Sequence, residues 1–190
     1  MLREIKNSIL FLIIFSILLG IVYPFFIRSI GDMFFPRRAD GSLIIQQSTI
    51  VGSQLIGQEF TEPQYFHGRP SASHYDPMNS GGTNVSIKDK LYVQLIQQRI
   101  HALQKENNKQ EKVPVDLLES SGSGLDPEIS VVAADYQVKR VAQARQVSPL
   151  LIEKILQQHI IKPELGIFGE PRVNVLLLNL ALDAEINHHG

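Results

Sequence analysis

The chain has 190 residues, 18 basic and 19 acidic side chains, and no cysteine. This near-neutral balance gives no electrostatic reason to expect a nucleic-acid-binding protein. The lack of cysteine excludes disulfides, thiolate-bound zinc, iron–sulfur clusters and cysteine nucleophiles. An apolar content of 44% is enough for a folded core, so the composition favours an ordered protein over a disordered one.

The first predicted element is a membrane anchor. Residues 8–27 carry no charged side chain, and as a helix they would be about 30 Å long, which matches the hydrocarbon core of a bilayer. A cleaved signal peptide would have a shorter apolar region, roughly 7–15 residues, followed by a small-residue cleavage pattern. A buried helix of a soluble core would rarely lack charge over such a length. We expect Pro24 to kink or end the anchor helix.

The predicted topology divides the chain into four parts. They are a cytoplasmic amino terminus (1–7), the anchor (8–28), a connector (29–42) and an extracytoplasmic domain (43–190). The flanking basic residues do not decide the orientation, since two precede the anchor and three follow it. We place the amino terminus in the cytoplasm because the anchor comes first and a long domain follows, and long domains cross membranes largely regardless of flanking charge.

The first half of the domain combines short strands with an ordered loop. Residues 43–51 are β-branched and apolar, which predicts one or two short strands. Residues 52–84 are dense in turn formers, which predicts little regular structure. The aromatic side chains of Tyr65, Phe66 and Tyr75 within this stretch are typical of a packed loop rather than a flexible linker.

The second half of the domain is predicted to be mostly helical, so the fold class is α+β with few strands. The apolar spacing predicts a helix over 88–105, with Leu91, Leu95, Ile96, Ile100 and Leu103 on its inner face. Pro114 predicts an extended 113–117. Further helices are expected from residue 126 or 130 to about 147, from Pro149 to about 162, and over 171–183 with Asn174 as its cap. The apolar spacing predicts the inward faces of the first two, which are Ala133, Ala134, Val138, Val141 and Ala142 in one and Leu151, Ile152, Ile155 and Leu156 in the other. A buried strand over 173–178 is the alternative for the last one.

The residues that could carry catalysis do not form a familiar motif. No glycine is followed by lysine, which excludes a P-loop. His67, His74 and Asp76 could hold a metal, but polar loop residues are the simpler interpretation, so we predict no metal site. Ser123 lacks the spacing of a nucleophile elbow, which favours a role in a turn or helix cap.

Two arginines have apolar or aromatic neighbours in the sequence. They are Arg69 and Arg140. An arginine in such a place often holds a carboxylate or packs on an aromatic ring, which predicts a structural or interfacial role. The glycine-rich residues 80–84 could bind an anion through backbone N–H groups, although a plain turn is the simpler interpretation.

Several strings of residues occur together in a familiar order. They are 52–60 (GSQLIGQEF), 63–72 (PQYFHGRPSA), 121–127 (SGSGLDP), 136–142 (YQVKRVA) and 172–183 (RVNVLLLNLALD). With the anchor, they closely resemble the C subunit of the bacterial Kdp potassium-transporting P-type ATPase. Leu177 departs from this pattern, where we would expect Glu, and so does Thr83, where Ser is usual.

The resemblance implies a non-catalytic subunit of a complex that imports potassium at the expense of ATP. It implies three protein partners: an ATP-hydrolysing P-type subunit, a channel-like potassium-binding subunit and a small single-span subunit. It also implies a single-pass protein of the bacterial inner membrane, with its main domain in the periplasm and the lipid bilayer as a further partner. The complex transports the potassium, and the phosphorylation motif Asp-Lys-Thr-Gly is not in this sequence. The alternatives to this accessory role are a membrane-anchored periplasmic hydrolase and an anchored scaffold unrelated to transport.

The resemblance further implies a catalytic chaperone that binds ATP and raises the ATP affinity of the hydrolysing subunit. Gln137 and Ser123 are the candidate ATP contacts. They are polar residues in the strings 136–142 and 121–127, the two strings that come nearest to a nucleotide-binding signature. The alternative for Gln137 is a polar group on a helix surface. ATP is cytoplasmic, whereas the main domain is predicted to lie outside the membrane.

Partner contacts are predicted in two parts of the chain. In the anchor they are Phe11, Phe15 and Gly20. Gly20 is included because a glycine permits the close approach of another helix. In the region 57–84 they are Tyr65, Phe66, Arg69 and Asn84. For this region the alternative is a loop that is packed internally.

Overall fold

The structure is a computed structural model that describes residues 1–107 and 111–187. Two compact units make up the chain, Met1–Val51 and a second unit that begins at Gly52. The first unit contains the apolar helix and most of a small hairpin, and the second contains the α+β core. The predicted α+β class with one apolar amino-terminal helix is confirmed.

The first unit begins with one continuous helix over Leu2–Phe34. It consists of α1 (Leu2–Ile17), a π-helical turn (Leu18–Val22) and α2 (Tyr23–Phe34). By length and composition this helix is able to cross a membrane, and none of its residues is buried in the chain. At 1.5 Å per residue the helix is about 50 Å long, which exceeds the thickness of a hydrocarbon core.

Of the two effects predicted for Pro24, a kink or an end of the helix, the end is wrong, because the helix continues to Phe34. Proline has no N–H to donate to the carbonyl four residues earlier, and its ring crowds that carbonyl. The π turn lies directly before Pro24, and the N–H of Tyr23 bonds to the carbonyl of Leu18, five residues back. This wider turn accommodates the proline, and the helix then continues to Phe34.

The first unit then turns through a short helix into a hairpin. α3 (Pro36–Ala39) is followed by β1 (Leu43–Gln46) and β2 (Thr49–Ser53), which pair in a two-stranded sheet. The connecting residues Gln47 and Ser48 have φ values of 46° and 66°, as expected for a turn that matches the twist of paired strands. The prediction of one or two short strands in 43–51 is confirmed with two strands, and most of the hairpin belongs to the first unit.

The second unit places helices around a small sheet. Its helices are α4 (Lys90–Glu106), α5 (Val131–Arg145), α6 (Pro149–Gln158) and α7 (Val175–Asn187). Its strands β3 (Glu128–Ser130), β4 (Ile160–Ile161) and β5 (Arg172–Asn174) form an antiparallel sheet in the order β3-β5-β4. Val173 in the central strand lies opposite both Ile129 and Ile160. Short 3₁₀ turns occur at Pro77–Asn79 and Val115–Leu117.

The core of the second unit lies between α5, α6, α7 and the sheet. α5 contributes small residues, Ala133, Ala134 and Ala142, which permit close packing of its neighbours. Buried branched side chains fill the remaining volume, and they are Ile129, Val138, Val141, Ile152, Ile155, Leu156, Val173, Leu178 and Leu182. The inward faces predicted for α5 and α6 are confirmed, apart from the half-buried Leu151 at the edge.

Several helix boundaries differ from the predictions for local physical reasons. α5 begins at Val131 because the Ser130 side chain accepts from the N–H of Ala133 and caps it. α6 ends at Gln158, since 160–161 join the sheet. Residues 172–174 form β5 before α7 begins, and Asn174 caps α7 by accepting from the N–H of Leu177 at 3.1 Å. Both alternatives for 171–183 are thus partly right.

α4 and the segment before α5 also depart from the sequence pattern. Ile96, Ile100 and Leu103 pack against the core as predicted, but Leu91 is 77% exposed and Leu95 is 39% exposed. Among the described residues, the core therefore covers the apolar face of α4 at its carboxyl-terminal half, and the amino-terminal half is exposed. The extended structure predicted for 113–117 is wrong at its end, because Val115–Leu117 forms a 3₁₀ turn with Leu117 buried.

Candidate functional site

The candidate site is the loop segment, residues 57–84, together with the helices that hold it. Two side-chain amides fix its backbone at Phe66 and His67. Asn179 in α7 accepts from the N–H of Phe66 at 2.8 Å and donates to its carbonyl at 3.0 Å. Gln137 in α5 accepts from the N–H of His67 at 2.8 Å and donates to its carbonyl at 3.1 Å. Each amide replaces the neighbouring strand that a β ladder would supply.

Arg140 is the second anchor of the loop segment, and its side chain is buried. Its guanidinium donates to the carbonyls of Pro63 and Tyr65, at 2.6 Å and 3.0 Å, and to Oε1 of Gln137 at 2.7 Å. Its Nε lies 3.2 Å from both Oδ1 of Asn107 and Oε1 of Glu106. The planar fork thus joins the loop, α4 and α5, and the carboxylate offsets the cost of burying its charge.

A third group of contacts holds Tyr65 against the carboxyl ends of α5 and α7. The Tyr65 hydroxyl donates to Asp183 at 3.0 Å, and Arg145 binds the other oxygen of that carboxylate at 2.7 Å. The guanidinium of Arg145 also lies over the Tyr65 ring, 5.1 Å from its centroid. Burial and the Asp183 carboxylate raise the pKa of Tyr65, which keeps its hydroxyl a hydrogen-bond donor.

The loop segment and α4 border a cleft of 380 Å³. Charged groups on its walls include Arg69, Arg99, Glu59 and Glu106, and His67 lies beside them. Burial and the nearby Arg140 lower the pKa of His67, against the opposing effect of Glu106. Both signs of charge line this cleft, so it is polar and does not select one charge by simple attraction.

Tyr75 and Ser71 hold the far wall of this cleft. The hydroxyl of Tyr75 donates to the carbonyl of Arg69 at 2.5 Å, and burial raises its pKa to about 12. The hydroxyl of Ser71 accepts from the N–H of Tyr75 and donates to the carbonyl of Gly124, at 2.8 Å and 2.6 Å. Hydrogen bonds between neutral groups therefore fix this part of the cleft wall.

Ser123 lies in the turn that supports the loop segment. Its carbonyl accepts from the N–H of Gly81 at 2.8 Å and the hydroxyl of Ser80 at 3.0 Å, and its own hydroxyl accepts from the N–H of Leu125 at 3.1 Å. The turn role predicted for Ser123 is confirmed. Gly124 in the same turn has a φ of +68°, and a Cβ there would lie 2.7 Å from the carbonyl of Gly81.

The structure gives the two candidate ATP contacts different surroundings. Gln137 is 1% exposed, so its alternative as a helix-surface group is wrong. Its oxygen accepts from His67 and Arg140, and its nitrogen donates to the carbonyls of His67 and Ala133. Those four bonds use the full capacity of an amide. Ser123 has a separate set of partners in an exposed turn.

The predicted interface residues of the loop segment divide by burial. Phe66 is fully buried, so its side chain offers no surface to a partner subunit. Tyr65 is half-buried against Asp183, and Arg69 is half-buried with its guanidinium 3.4 Å from Asp126. Asn84 is exposed, has a φ of 50° and donates to the carbonyl of Gly82 at 3.1 Å. Of the four predicted interface residues, Tyr65, Arg69 and Asn84 therefore have side chains that a partner subunit could contact.

The predicted anchor residues are all exposed within this chain. Phe11 and Phe15 are 62% and 49% exposed, and their rings stack with centroids 6.3 Å apart. A Cβ on Gly20 would have no neighbour within 4 Å. Gly20 also lies inside the π turn. Their contacts with other subunits stay predictions.

Residues that the sequence patterns missed are the long-range partners of the loop segment. Arg69 and Arg140 stand out in the sequence, and both pair with carboxylates as predicted. Asn179, Glu106 and Asp183 do not stand out. For Asn179 one signal was available, because it is an amide in the otherwise apolar run 175–182, and a buried amide requires partners.

Comparison with known proteins gives matches over nearly the whole chain. The family model described as KdpC, the c chain of K⁺-transporting ATPase, matches residues 5–184. The chain belongs to the KdpC family. Two proteins named potassium-transporting ATPase KdpC subunit illustrate the likeness. The one from Caldanaerobacter subterraneus subsp. tengcongensis is 46% identical and covers 98% of both chains. The one from Gemmatimonas aurantiaca is 43% identical, over 97% of this chain and 94% of that protein.

The KdpC match includes the elements that build the site. It extends from the apolar helix through α7 up to residue 184, and so contains Phe66, Gln137, Arg140 and Asn179. A protein from Polynucleobacter asymbioticus, also named potassium-transporting ATPase KdpC subunit, is 44% identical over 95% of this chain. The resemblance that the sequence strings indicate is therefore confirmed at the level of the family.

Proposed function

We propose that this chain is the accessory, non-hydrolysing subunit of an ATP-driven potassium import complex. The observation that carries the proposal is the KdpC match over residues 5–184, in which the apolar helix and the folded unit are included together. Its partners would be the ATP-hydrolysing P-type subunit, the channel-like potassium-binding subunit and the small single-span subunit. The absence of an Asp-Lys-Thr-Gly motif fits a subunit that leaves hydrolysis to a partner.

The proposed action is to stabilise the assembly and to raise the ATP affinity of the hydrolysing subunit. A rigid subunit can do this by binding one pump conformation more tightly than another, since the ratio of its two affinities sets the shift in population. The rigid loop segment supports such a role, because its backbone is fixed from α5 and α7. This mechanism needs no nucleotide contact by this chain.

Co-purification tests the accessory role. A tag placed after Gly190 would be used to isolate the chain in mild detergent from cells grown at low potassium. Recovery of a P-type ATPase and a multi-span potassium subunit in a fixed ratio is the expected result. Recovery of this chain alone, from cells that express the pump, would contradict the proposal and favour an anchored hydrolase or an unrelated scaffold.

Direct ATP binding needs a separate measurement. Titration calorimetry of the purified chain with millimolar ATP tests it, and the variants Gln137→Glu and Ser123→Ala test the two candidate residues. Because Gln137 is buried and fully hydrogen-bonded, we expect no ATP contact through its side chain. A heat of binding that disappears in a folded Gln137→Glu variant would contradict this expectation.

The proposed location is the bacterial inner membrane, with the amino terminus in the cytoplasm and the second unit in the periplasm. The natural absence of cysteine makes the test simple. Met78 is 88% exposed, so a Met78→Cys variant can be labelled with a membrane-impermeant maleimide in intact cells with a permeabilised outer membrane. Labelling before lysis is expected. Labelling only after lysis would show that the second unit lies in the cytoplasm, the opposite of the proposed orientation.

A further inference from the structure

A short hairpin in the second unit carries large apolar side chains into solvent. We name residues 163–169 the apolar finger. The exposed fractions of Leu165, Ile167 and Phe168 are 89%, 78% and 63%. Three large hydrophobic residues that are exposed within four positions differ from the isolated ones found on most protein surfaces, and clustered exposure marks an interaction site.

The finger is held in one conformation by its own backbone. Glu164 and Phe168 exchange hydrogen bonds, with N–H to carbonyl distances of 2.8 Å and 2.9 Å. The N–H of Gly166 bonds to the carbonyl of Pro163 at 3.0 Å. A closed hairpin presents its tip without the entropy cost of ordering a loop on binding.

The backbone at the tip is strained at an exposed, large apolar residue. Leu165 has a φ of +52°, in the left-handed region that glycine and asparagine adopt most easily. A leucine there gains no burial within this chain to offset the strain, since it is 89% exposed. Strain that is retained without an internal gain is typical of a contact site.

The charges around the finger indicate the kind of surface that it meets. Lys162, Glu164 and Glu170 are exposed. Arg172, at the base, pairs with Glu128 at 2.7 Å, which neutralises its charge. The exposed groups therefore carry more negative than positive charge. Segments that insert into bilayers usually carry lysine and arginine, because lipid surfaces are negative, so these acidic flanks favour a protein pocket.

We infer that the apolar finger docks into an apolar pocket with a neutral or basic rim on another subunit of the potassium-transporting ATPase. This inference rests on the proposed accessory function, and it adds the contact that joins the second unit to its partner. Leu165 and Phe168 would be the anchors, and Glu164 and Glu170 would face the rim.

Photo-crosslinking in the intact complex tests the inference. A benzophenone amino acid at Phe168 preserves an aromatic side chain, and the same residue at Leu150, which is 74% exposed on α6, serves as the matched control. We expect the Phe168 position to give at least fivefold more adduct with a subunit of the ATPase, identified by mass spectrometry. Adducts with lipid, no adducts, or equal yields at both positions would overturn the inference.

A second variant separates docking from folding. Leu165→Asn removes the apolar tip, and asparagine tolerates a positive φ, so the chain should fold at least as well. We expect about tenfold less of this variant than of the wild-type chain in the purified complex. The control variant Leu150→Gln should be recovered in the same amount as the wild-type chain. If the wild-type chain fails to recover the ATPase subunits, the proposed function fails. If it recovers them and Leu165→Asn does so equally, only the finger inference fails.

Discussion

Asn179 and Phe66 lie 113 positions apart in the sequence and exchange two hydrogen bonds, at 2.8 Å and 3.0 Å. Both residues are buried, with 1% and 0% of their surfaces exposed. The amide of Asn179 satisfies the two backbone groups of a residue that has no strand beside it. This single side chain lets the Phe66 ring enter the core while its backbone is away from water.

Removal of this amide should destabilise the chain strongly. In Asn179→Ala both backbone groups of Phe66 would be buried without partners, at a cost of about 3 kcal/mol in the free energy of unfolding. Urea unfolding of the full chain in detergent measures the change. Gln97→Ala on the exposed face of α4 is the control, with an expected change within about 0.5 kcal/mol. Equal stability of the two variants would contradict the amide's role.

Arg140 should not tolerate lysine. Its guanidinium serves the carbonyls of Pro63 and Tyr65 and the oxygen of Gln137 at once, whereas an ammonium group lacks that planar fork. We expect Arg140→Lys to lower the free energy of unfolding by about 2–3 kcal/mol, because buried acceptors lose their donors. The neighbouring, exposed Lys139→Arg should be nearly neutral. A thermal shift of Arg140→Lys no larger than that of Lys139→Arg would refute the prediction.

Acid should destabilise the second unit partly through His67. Its folded-state pKa lies below the ordinary value of 6.5, because burial and Arg140 disfavour the charged ring. The unfolded chain therefore takes up this proton first as the pH falls. Its contribution to stability is complete above pH 6.5 and is lost progressively from there down to the folded-state pKa.

The variant His67→Gln tests this pH dependence. We expect it to lose less stability than wild type between pH 7.5 and pH 5, measured by urea unfolding in detergent. Gln97→Ala, at an exposed position on α4, should keep the wild-type slope. An unchanged slope in His67→Gln would show that another group carries the effect.

The turn that supports the loop segment contains two glycines, and we expect their replacement by alanine to have opposite effects on stability. Gly124 has a φ of +68°, and a Cβ would lie 2.6 Å from Oγ of Ser73 and 2.7 Å from the carbonyl of Gly81. Gly124→Ala should therefore cost at least about 2 kcal/mol, from backbone strain and displacement of the loop. A Cβ at Gly122 meets nothing within 4 Å, so Gly122→Ala should be tolerated. Thermal unfolding of both variants makes the comparison, which fails if their midpoints coincide.

Local patterns in the sequence were sufficient for the elements that depend on local interactions. The apolar run in 8–27 predicted the helix, because hydrophobic length is a property of the segment alone. The same holds for the inward faces of α5 and α6, where apolar spacing follows the helical period. The Asn174 cap was also predicted, since a cap bonds within three residues.

Predictions failed where neighbouring elements competed with local preference. Pro24 was expected to kink or end the helix, but a π turn accommodates it and the helix does not end there. Residues 160–161 were expected to be helical, but they form a strand because they pair with Val173 and Arg172, and a two-residue strand leaves almost no periodic signal. The amino-terminal half of α4 was expected to pack inward, yet Leu91 is exposed.

The sequence by itself determined the membrane-length helix, the α+β class and the family, because these depend on composition, period and ordered strings of residues. Only the tertiary structure decided the use of the polar side chains. It placed Gln137 and Asn179 against a loop 70 and 113 positions away, and it left the apolar finger exposed. Hydrogen bonds between distant segments form only when the core brings them together, so no local pattern records them.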